Sequence, residues 1–203
     1  RFRGNVHVAR GNVEAAFRFI TQQIPEIEQL GHHDMVPALC GKRSGLILIT
    51  GITGSGKTTT LASMVKRISD TRSGVIITLE DPIEYIIKPR KCRVTQREIS
   101  NHSDSFAAAL RAALRQDPDI ISIGEMRDLE TASIAISAAE TGHLVFGTLH
   151  TNSAIRTVSR VMNMYPPNQR EQIQVMVAES LRGVISQQLL PRKDGKGLAL
   201  AIE

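Results

Sequence analysis

The sequence predicts an α/β protein built on a parallel-rich sheet. From Ser44 onward, short apolar runs alternate with helical patterns, as strands joined through crossover helices do. The glycine-rich stretch Gly51-Ile52-Thr53-Gly54-Ser55-Gly56-Lys57-Thr58 follows the apolar run Leu46-Ile47-Leu48-Ile49 directly and precedes a helical pattern from Thr59 to Ile68. The chain has 203 residues, 41% of them hydrophobic, enough for one full domain and a fragment of another.

The segment Phe2 to Ile20 reads as strand material: Val6 and Val8 alternate with polar neighbours, and Phe17-Arg18-Phe19-Ile20 is a second β-like run. So short a segment buries no core of its own, so residues 1–23 are expected to be the end of a further domain. Residues 24–43 read as a linker, since Pro25 forbids a continuous helix, with a short helix from His32 to Leu39. The core is expected over 44–203. Its strands are predicted at Leu46–Thr50, Val75–Glu80, Arg93–Gln96, Ile120–Ile123 and Leu144–Leu149. Helices are predicted at Lys57–Ile68, Asp104–Arg115, Leu129–Thr141, Ser153–Met164 and Asn168–Leu189. Asp128 is the expected N-cap of the third of these, and Gly142 its expected stop. The last begins after Pro166-Pro167 and carries Ile173, Val177, Leu181, Val184 and Ile185 as its buried stripe. A turn at Asp194–Gly197 leads into a strand at Leu198–Ile202.

The glycine-rich stretch is a complete Walker A loop in the strand–loop–helix setting it requires. Gly51, Gly54 and Gly56 let successive backbone N–H groups point inward, and the helix N-terminus adds its positive end. Lys57 reaches the β- and γ-phosphates and the Thr58 hydroxyl binds Mg²⁺. The candidate nucleotide-binding residues are Gly51, Thr53, Gly54, Ser55, Gly56, Lys57, Thr58 and Thr59.

In an open parallel sheet, ligands bind beyond the C-terminal strand ends, and this ranks the remaining polar residues. The second core strand empties into Leu79-Glu80-Asp81-Pro82-Ile83-Glu84-Tyr85, where a carboxylate can orient or deprotonate a water. Ile120–Ile123 empties into Gly124-Glu125, like a Walker B strand with glycine at the usual aspartate position, so Glu125 must carry the Mg²⁺ or water contact. Glu84 and Glu125 compete for the role of base, and spacing alone does not choose. The strand from His143 ends at His150. The two histidines are more than about 20 Å apart along it, so only His150 reaches the productive end. Arg111 and Arg115 lie one helical turn apart, and Arg3, Arg18, Arg97 and Arg127 are further arginines able to stabilise phosphate charge.

Together these residues resemble the secretion-ATPase superfamily and, within it, the PilT-type twitching-motility ATPases. Gly51–Thr58 matches the Walker A loop, Leu79–Tyr85 an acidic "Asp box", Ile120–Asp128 the Walker B segment, and Glu140-Thr141-Gly142-His143 to His150-Thr151 a "His box". The resemblance implies a RecA-like P-loop core preceded by the end of a PAS-like N-terminal domain, joined by a flexible linker and assembled as a homo-hexameric ring. It implies Glu84 as general base, Glu125 acting on Mg²⁺ and water, and His150 on the γ-phosphate. It further implies Arg3 and Arg18 offered across a domain or subunit boundary, and Arg111 and Arg115 near the phosphates. The implied ligands are ATP, ADP and Mg²⁺. The implied task is type IV pilus retraction at the cytoplasmic face of the inner membrane, with the pilus platform protein and pilus machinery as partners. Ser186 to Arg192 runs on without the four-cysteine zinc insert of assembly-type and type II secretion relatives. An Ala-Ile-Arg-containing helix of retraction ATPases would lie beyond Glu203.

Composition narrows the alternatives. No apolar run approaches the roughly 18 residues of a membrane span. The chain opens on Arg1-Phe2-Arg3 without a signal-peptide pattern, and its two cysteines, Cys40 and Cys92, have no metal-ligand spacing, which suits a reducing cytoplasm. The net charge of +5 suits anionic ligands, but without Trp and with 2 Tyr and 5 Phe there is little to stack nucleic-acid bases on. The few aromatics and the acidic box make a nucleic-acid motor the weaker alternative, and the presence of Lys57, Glu84, Glu125 and His150 together weakens a non-hydrolysing scaffold.

Overall fold

The structure, a computed structural model, describes residues 2–19 and 23–203, with the side chains of residues 3, 18 and 19 outside the description. Strands β1 (Phe2–Ala9) and β2 (Asn12–Phe19) form an antiparallel hairpin turning through Arg10 and Gly11. Val8 pairs with Val13, Val6 with Ala15 and Gly4 with Phe17, so one face of the hairpin is apolar. Val6, Val8, Val13 and Phe17 are exposed. The expected strand residue Ile20 lies outside the described residues.

The remaining elements run in the order α1 (Met35–Leu39), β3 (Gly45–Thr50), α2 (Lys57–Thr71), β4 (Gly74–Glu80), β5 (Cys92–Glu98), α3 (Phe106–Ala113), β6 (Ile120–Ile123), α4 (Leu129–Glu140), β7 (Leu144–Leu149), α5 (Ala154–Asn163), α6 (Arg170–Ser180), β8 (Leu181–Pro191) and β9 (Leu198–Ile202). The sheet order is β5-β4-β6-β7-β3-β8-β9. Every neighbour pair is parallel except the final β8–β9 hairpin. The parallel-rich α/β expectation therefore holds.

Alternation along the buried strands divides the core into two layers. Leu46 and Leu48 of β3, with Ile121 and Ile123 of β6, pack against α3, α4 and α6. Ile47 and Ile49, with Ile120 and Phe146, pack on the other face against Met64, Val65 and Ile68 of α2. Ser105 and Asp128 cap α3 and α4 by accepting from the N–H groups of Ala108 and Thr131. Gly142, at φ +112°, follows α4 as expected.

Two of the expected helices are corrected. The single helix over Asn168–Leu189 is instead a short 3₁₀ turn at Pro167–Gln169, helix α6, and strand β8, with Leu181 already extended at φ −66°, ψ 123°. Ile173 and Val177 belong to the helical stripe, whereas Leu181, Val184 and Ile185 belong to a strand beside β3. Pairing with β3 starts at Leu181, and Gly183 two residues on disfavours carrying the helix further and lets the strand pass close to Leu39, where a Cβ would stand 3.0 Å from Leu39 Cδ1. The helix expected over Asp104–Arg115 ends at Ala113 and tightens into a 3₁₀ turn, Leu114–Gln116, that contains Arg115.

The expected linker, 24–43, is not a loose tether over its described residues. Ile27, Val36 and Cys40 are buried in the layer that holds α2. Ser63 donates to the Pro25 carbonyl at 2.8 Å, His32 Nε2 meets Thr60 Oγ1 at 3.0 Å, and Lys66 bridges Glu26 and Asp70. No helix among the described residues is long and apolar enough to cross a membrane.

Candidate functional site

The Walker A loop connects the fully buried β3 to the first turn of α2. Gly51 sits at φ +147°, and a Cβ there would stand 2.3 Å from the Gln187 carbonyl oxygen and 2.4 Å from Ser55 Oγ, so only glycine fits. Lys57 Nζ donates to the carbonyls of Gly51 at 2.7 Å and Ile52 at 3.0 Å, spanning the loop. Burial pulls the Lys57 ammonium below the usual lysine range while the Glu125 charge acts the other way. Gln187, on β8, supports the loop from beneath by donating to the Ser55 carbonyl at 2.7 Å. Sequence reading missed Gln187 because it placed that segment in a helix; a polar Gln-Gln pair after a Gly183-interrupted apolar run was the available signal.

Thr53, Gly54, Gly56, Lys57, Thr58 and Thr59 line a cavity of about 620 Å³. Its opposite wall comes from three strand ends, β4, β6 and β7, which bring Glu80, Asp81, Glu84, Glu125, Arg127 and His150 to it. Neighbouring parallel strands carry their C-terminal ends to one edge of the sheet, which gathers residues distant in sequence. Glu84, Glu125 and His150 thus share one cavity with the phosphate loop. His143 lies at the other end of β7, its Nδ1 3.0 Å from the Ala138 carbonyl, in a structural position.

Glycine at position 124 has a steric reason. The Gly124 N–H donates to the Leu79 carbonyl at 2.7 Å, and a Cβ would meet that oxygen at 3.0 Å and Glu80 Cα at 3.4 Å. Any side chain, aspartate included, would push apart the ends of β4 and β6. The carboxylate moves one residue on, to Glu125. Arg127 Nη2 lies 2.6 Å from Glu125 Oε2, and His150 Nε2 lies 3.3 Å from Glu125 Oε1. Partial burial would raise the Glu125 carboxyl, but Arg127 and then His150 outweigh it and hold the group below the usual carboxylate range. Arg127 also stands 3.8 Å from Asp81.

The acidic turn after β4 is differentiated. Glu80 is largely enclosed and accepts from Thr78 Oγ1 at 2.6 Å and Gln96 Nε2 at 2.8 Å. Burial pushes its carboxyl above the usual range despite those bonds. Glu84, four residues on, lies in the cavity wall.

The other arginines lie elsewhere. Arg111 pairs with Glu130 between α3 and α4, and neither it nor Arg115 lines the cavity of its own chain, against the expected place near the phosphates. Both are exposed on the helical layer. Arg97 donates to the His102 carbonyl at 2.9 Å. Arg3 and Arg18 are direct cross-strand partners in the β1–β2 hairpin, and their side chains lie outside the described residues.

Residues 10–197 match the family model described as Type II/IV secretion system protein. The chain is similar to the type IV pilus retraction ATPase PilT of Pseudomonas aeruginosa, at 47% identity over 203 residues, covering 100% of this chain and 59% of that protein. It is similar to a twitching motility protein of Neisseria gonorrhoeae, at 46% identity over 197 residues, covering 97% of this chain and 53% of that protein. Among solved structures it is similar to the pilus retraction motor PilT with bound ADP, at a TM-score of 0.96 and 56% identity, covering 100% of this chain and 59% of that one. The chain therefore spans less than two thirds of the length of these relatives.

Proposed function

The chain belongs to the Type II/IV secretion system protein family, and from that premise we propose that it carries the ATP-hydrolysing core of a hexameric motor that powers type IV pilus retraction. The observation that carries the reading is the single cavity in which the Walker A loop faces Glu84, Glu125 and His150. Backbone N–H groups of the loop and the N-terminus of α2 receive the phosphate oxygens, and Lys57 balances the charge of the terminal phosphates. Glu84 orients and deprotonates the attacking water. His150, tied to Glu125, contacts the γ-phosphate, and Arg127 keeps Glu125 ionised.

Two of the oxygen donors lining the cavity beside the phosphate loop, the Thr58 hydroxyl and the Glu125 carboxylate, suit Mg²⁺, which keeps waters and takes substrate phosphates as ligands. Thr58 and Glu125 would hold it, and when bound it neutralises charge developing on the phosphate oxygens. Arg3 and Arg18 complete the site across a domain or subunit boundary. No step is assigned to Arg111 and Arg115 within their own chain. The motor acts at the cytoplasmic face of the inner membrane on the pilus platform.

A pilus-assembly or secretion ATPase is the second reading. The cysteine-free run from Ser186 to Arg192, here the second half of β8 and the residue after it, favours retraction. The test is ATP turnover and nucleotide affinity of the complete protein and its Lys57→Ala variant, with and without DNA, alongside restoration of twitching in cells lacking their own retraction motor. Loss of binding or turnover in Lys57→Ala, no DNA stimulation and restored twitching are expected. Unchanged turnover in Lys57→Ala would overturn the nucleotide assignment, and restored pilus assembly without twitching the retraction assignment.

A further inference from the structure

The loop that carries Glu84 is held from one side by a single strand. Among the described residues β5 is the edge of the sheet and pairs only with β4, in a register that sets Thr78 opposite Gln96 and Glu80 opposite Glu98. Gln96 and Glu98 are two residues apart, so they share a face. Gln96 uses both ends of its amide. Its Nε2 donates to the Tyr85 carbonyl at 2.9 Å as well as to Glu80 Oε1, and its Oε1 accepts from the Ile87 N–H at 2.8 Å. Glu98 Oε2 accepts from the Ile83 N–H at 2.9 Å, while its other oxygen is engaged by Asn101. The backbone is therefore gripped immediately before Glu84, at Ile83, and immediately after it, at Tyr85, with a third hold at Ile87. The Tyr85 hydroxyl adds a tie in the other direction, meeting Thr59 Oγ1 at 3.1 Å on the first turn of α2.

Neither Gln96 nor Glu98 has a place in the chemistry itself. Gln96 and Glu98 do not line the cavity; besides the Glu80 and Asn101 side chains, they bond main-chain atoms on either side of a residue that does. The turn is also tied by the Glu84 N–H, which donates to the Glu80 carboxylate that Gln96 holds, and by the Tyr85 hydroxyl; the β5 side chains are what hold its main chain at Ile83 and at the Tyr85 carbonyl. We propose that Gln96 and Glu98 are positioning residues for hydrolysis, a two-point clamp from β5 that sets the direction of the Glu84 carboxylate toward the phosphate loop. The proposal rests on the reading of Glu84 as the base. A carboxylate displaced by about 1 Å from its productive place costs on the order of 10²-fold in rate, without any change in how the nucleotide is gripped by the Walker A loop.

The experiment uses the complete, ring-forming protein. ATPase kcat and KM, ADP affinity and the thermal midpoint are measured for Gln96→Leu, Glu98→Ala, Glu98→Gln and Glu84→Gln, and for Gln96→Leu in the Glu84→Gln background. Gln96→Leu and Glu98→Ala are expected to lower kcat by about 10- to 100-fold, leaving KM and ADP affinity within about twofold. Glu98→Gln, whose amide oxygen still accepts from Ile83, is expected to recover most of the rate. In the Glu84→Gln background, Gln96→Leu is expected to cost less than about threefold, because the group it directs is already disabled. An equal loss from Gln96→Leu in both backgrounds overturns the clamp while leaving Glu84 as base, as does wild-type kcat in both clamp variants. A fall in kcat accompanied by weaker ADP binding and a lowered midpoint reduces Gln96 to a structural residue and also overturns it. Wild-type turnover in Glu84→Gln overturns the base assignment itself, and with it the clamp.

Discussion

The Arg127 guanidinium donates to the Glu125 carboxylate at 2.6 Å, two residues along the same loop and on the side opposite His150. Glu125 is thus held between two cationic or potentially cationic groups, and its charge state depends on both.

Arg127→Ala removes the larger influence that keeps Glu125 ionised, so the Glu125 pKa rises. The acid limb of the kcat–pH profile is expected to move to higher pH, with less change in ADP affinity. The linkage has the same sign in stability. Because the folded-state pKa is depressed, the contribution is present above the unfolded value and is lost as pH falls through the folded one. The variant's melting midpoint should therefore differ most from wild type above the ordinary carboxylate range, and the two should converge in acid. Superimposable pH–rate profiles would remove Arg127 from this role.

Glu84→Gln and Glu125→Gln separate the two candidate bases. Glu84→Gln in the ring-forming protein is expected to retain nucleotide binding and to lose hydrolysis by on the order of 10²-fold or more, as for loss of a general base. Glu125→Gln is expected to weaken the Mg²⁺ dependence of binding as well as turnover. Titration of ATP affinity against Mg²⁺ in both variants checks this. Normal hydrolysis by Glu84→Gln with an inactive Glu125→Gln would exchange the roles.

Arg3→Ala and Arg18→Ala, in the complete protein, are expected to leave ATP binding to the core nearly intact and to cut ATPase activity sharply. A guanidinium grips phosphate oxygens only when its boundary closes. Mixing either variant with Glu84→Gln should restore activity at shared interfaces if the arginine acts in trans. Full activity of both variants at ring-forming concentrations would leave these residues as surface charges.

Gly124→Ala tests the steric account of the altered Walker B strand. The added Cβ meets the Leu79 carbonyl oxygen at 3.0 Å, against backbone that has no rotamer with which to yield. Destabilisation of about 1–3 kcal/mol is expected, in the range of overpacked sites, read from chemical denaturation. Gly124→Asp should be no more stable and no more active. A stability equal to wild type would show that β4 and β6 part without cost.

Much of this arrangement is legible in the sequence because it depends on local pattern. The Walker A loop, the acidic turn and the two strand ends at Glu125 and His150 each follow a short apolar run, and a parallel sheet carries such ends to one edge. What escapes the pattern is held by contacts distant in sequence. Gln187 is buried because it supports Ser55, 132 residues away, and two buried polar residues in succession, Ser186 and Gln187, break the very alternation that would have revealed β8. The apolar spacing Ile173, Val177, Leu181 suits a helix until Gly183, and only pairing with β3 decides where it stops. Arg127 was visible only as one arginine among several, and its pairing with Glu125 needs the turn after β6 to be seen. The expected strand Arg93–Gln96 stops short of Glu98, and the bonds that Gln96 and Glu98 make to Ile83, Tyr85 and Ile87 go to backbone groups, which carry no sequence signal.

The packing of residues 24–43 along α2 gives that helix two duties. Its first turn carries Lys57, Thr58 and Thr59, while Thr60, Ser63, Lys66 and Arg67 farther along it hold the preceding segment. With 15 residues at about 1.5 Å each, it is a rod of roughly 22 Å with no joint between those two sets of contacts. The turn that faces the phosphate cavity and the strap over residues 24–43 are therefore mounted on one stiff element, so their spacing is fixed by the helix itself rather than by the loops between them.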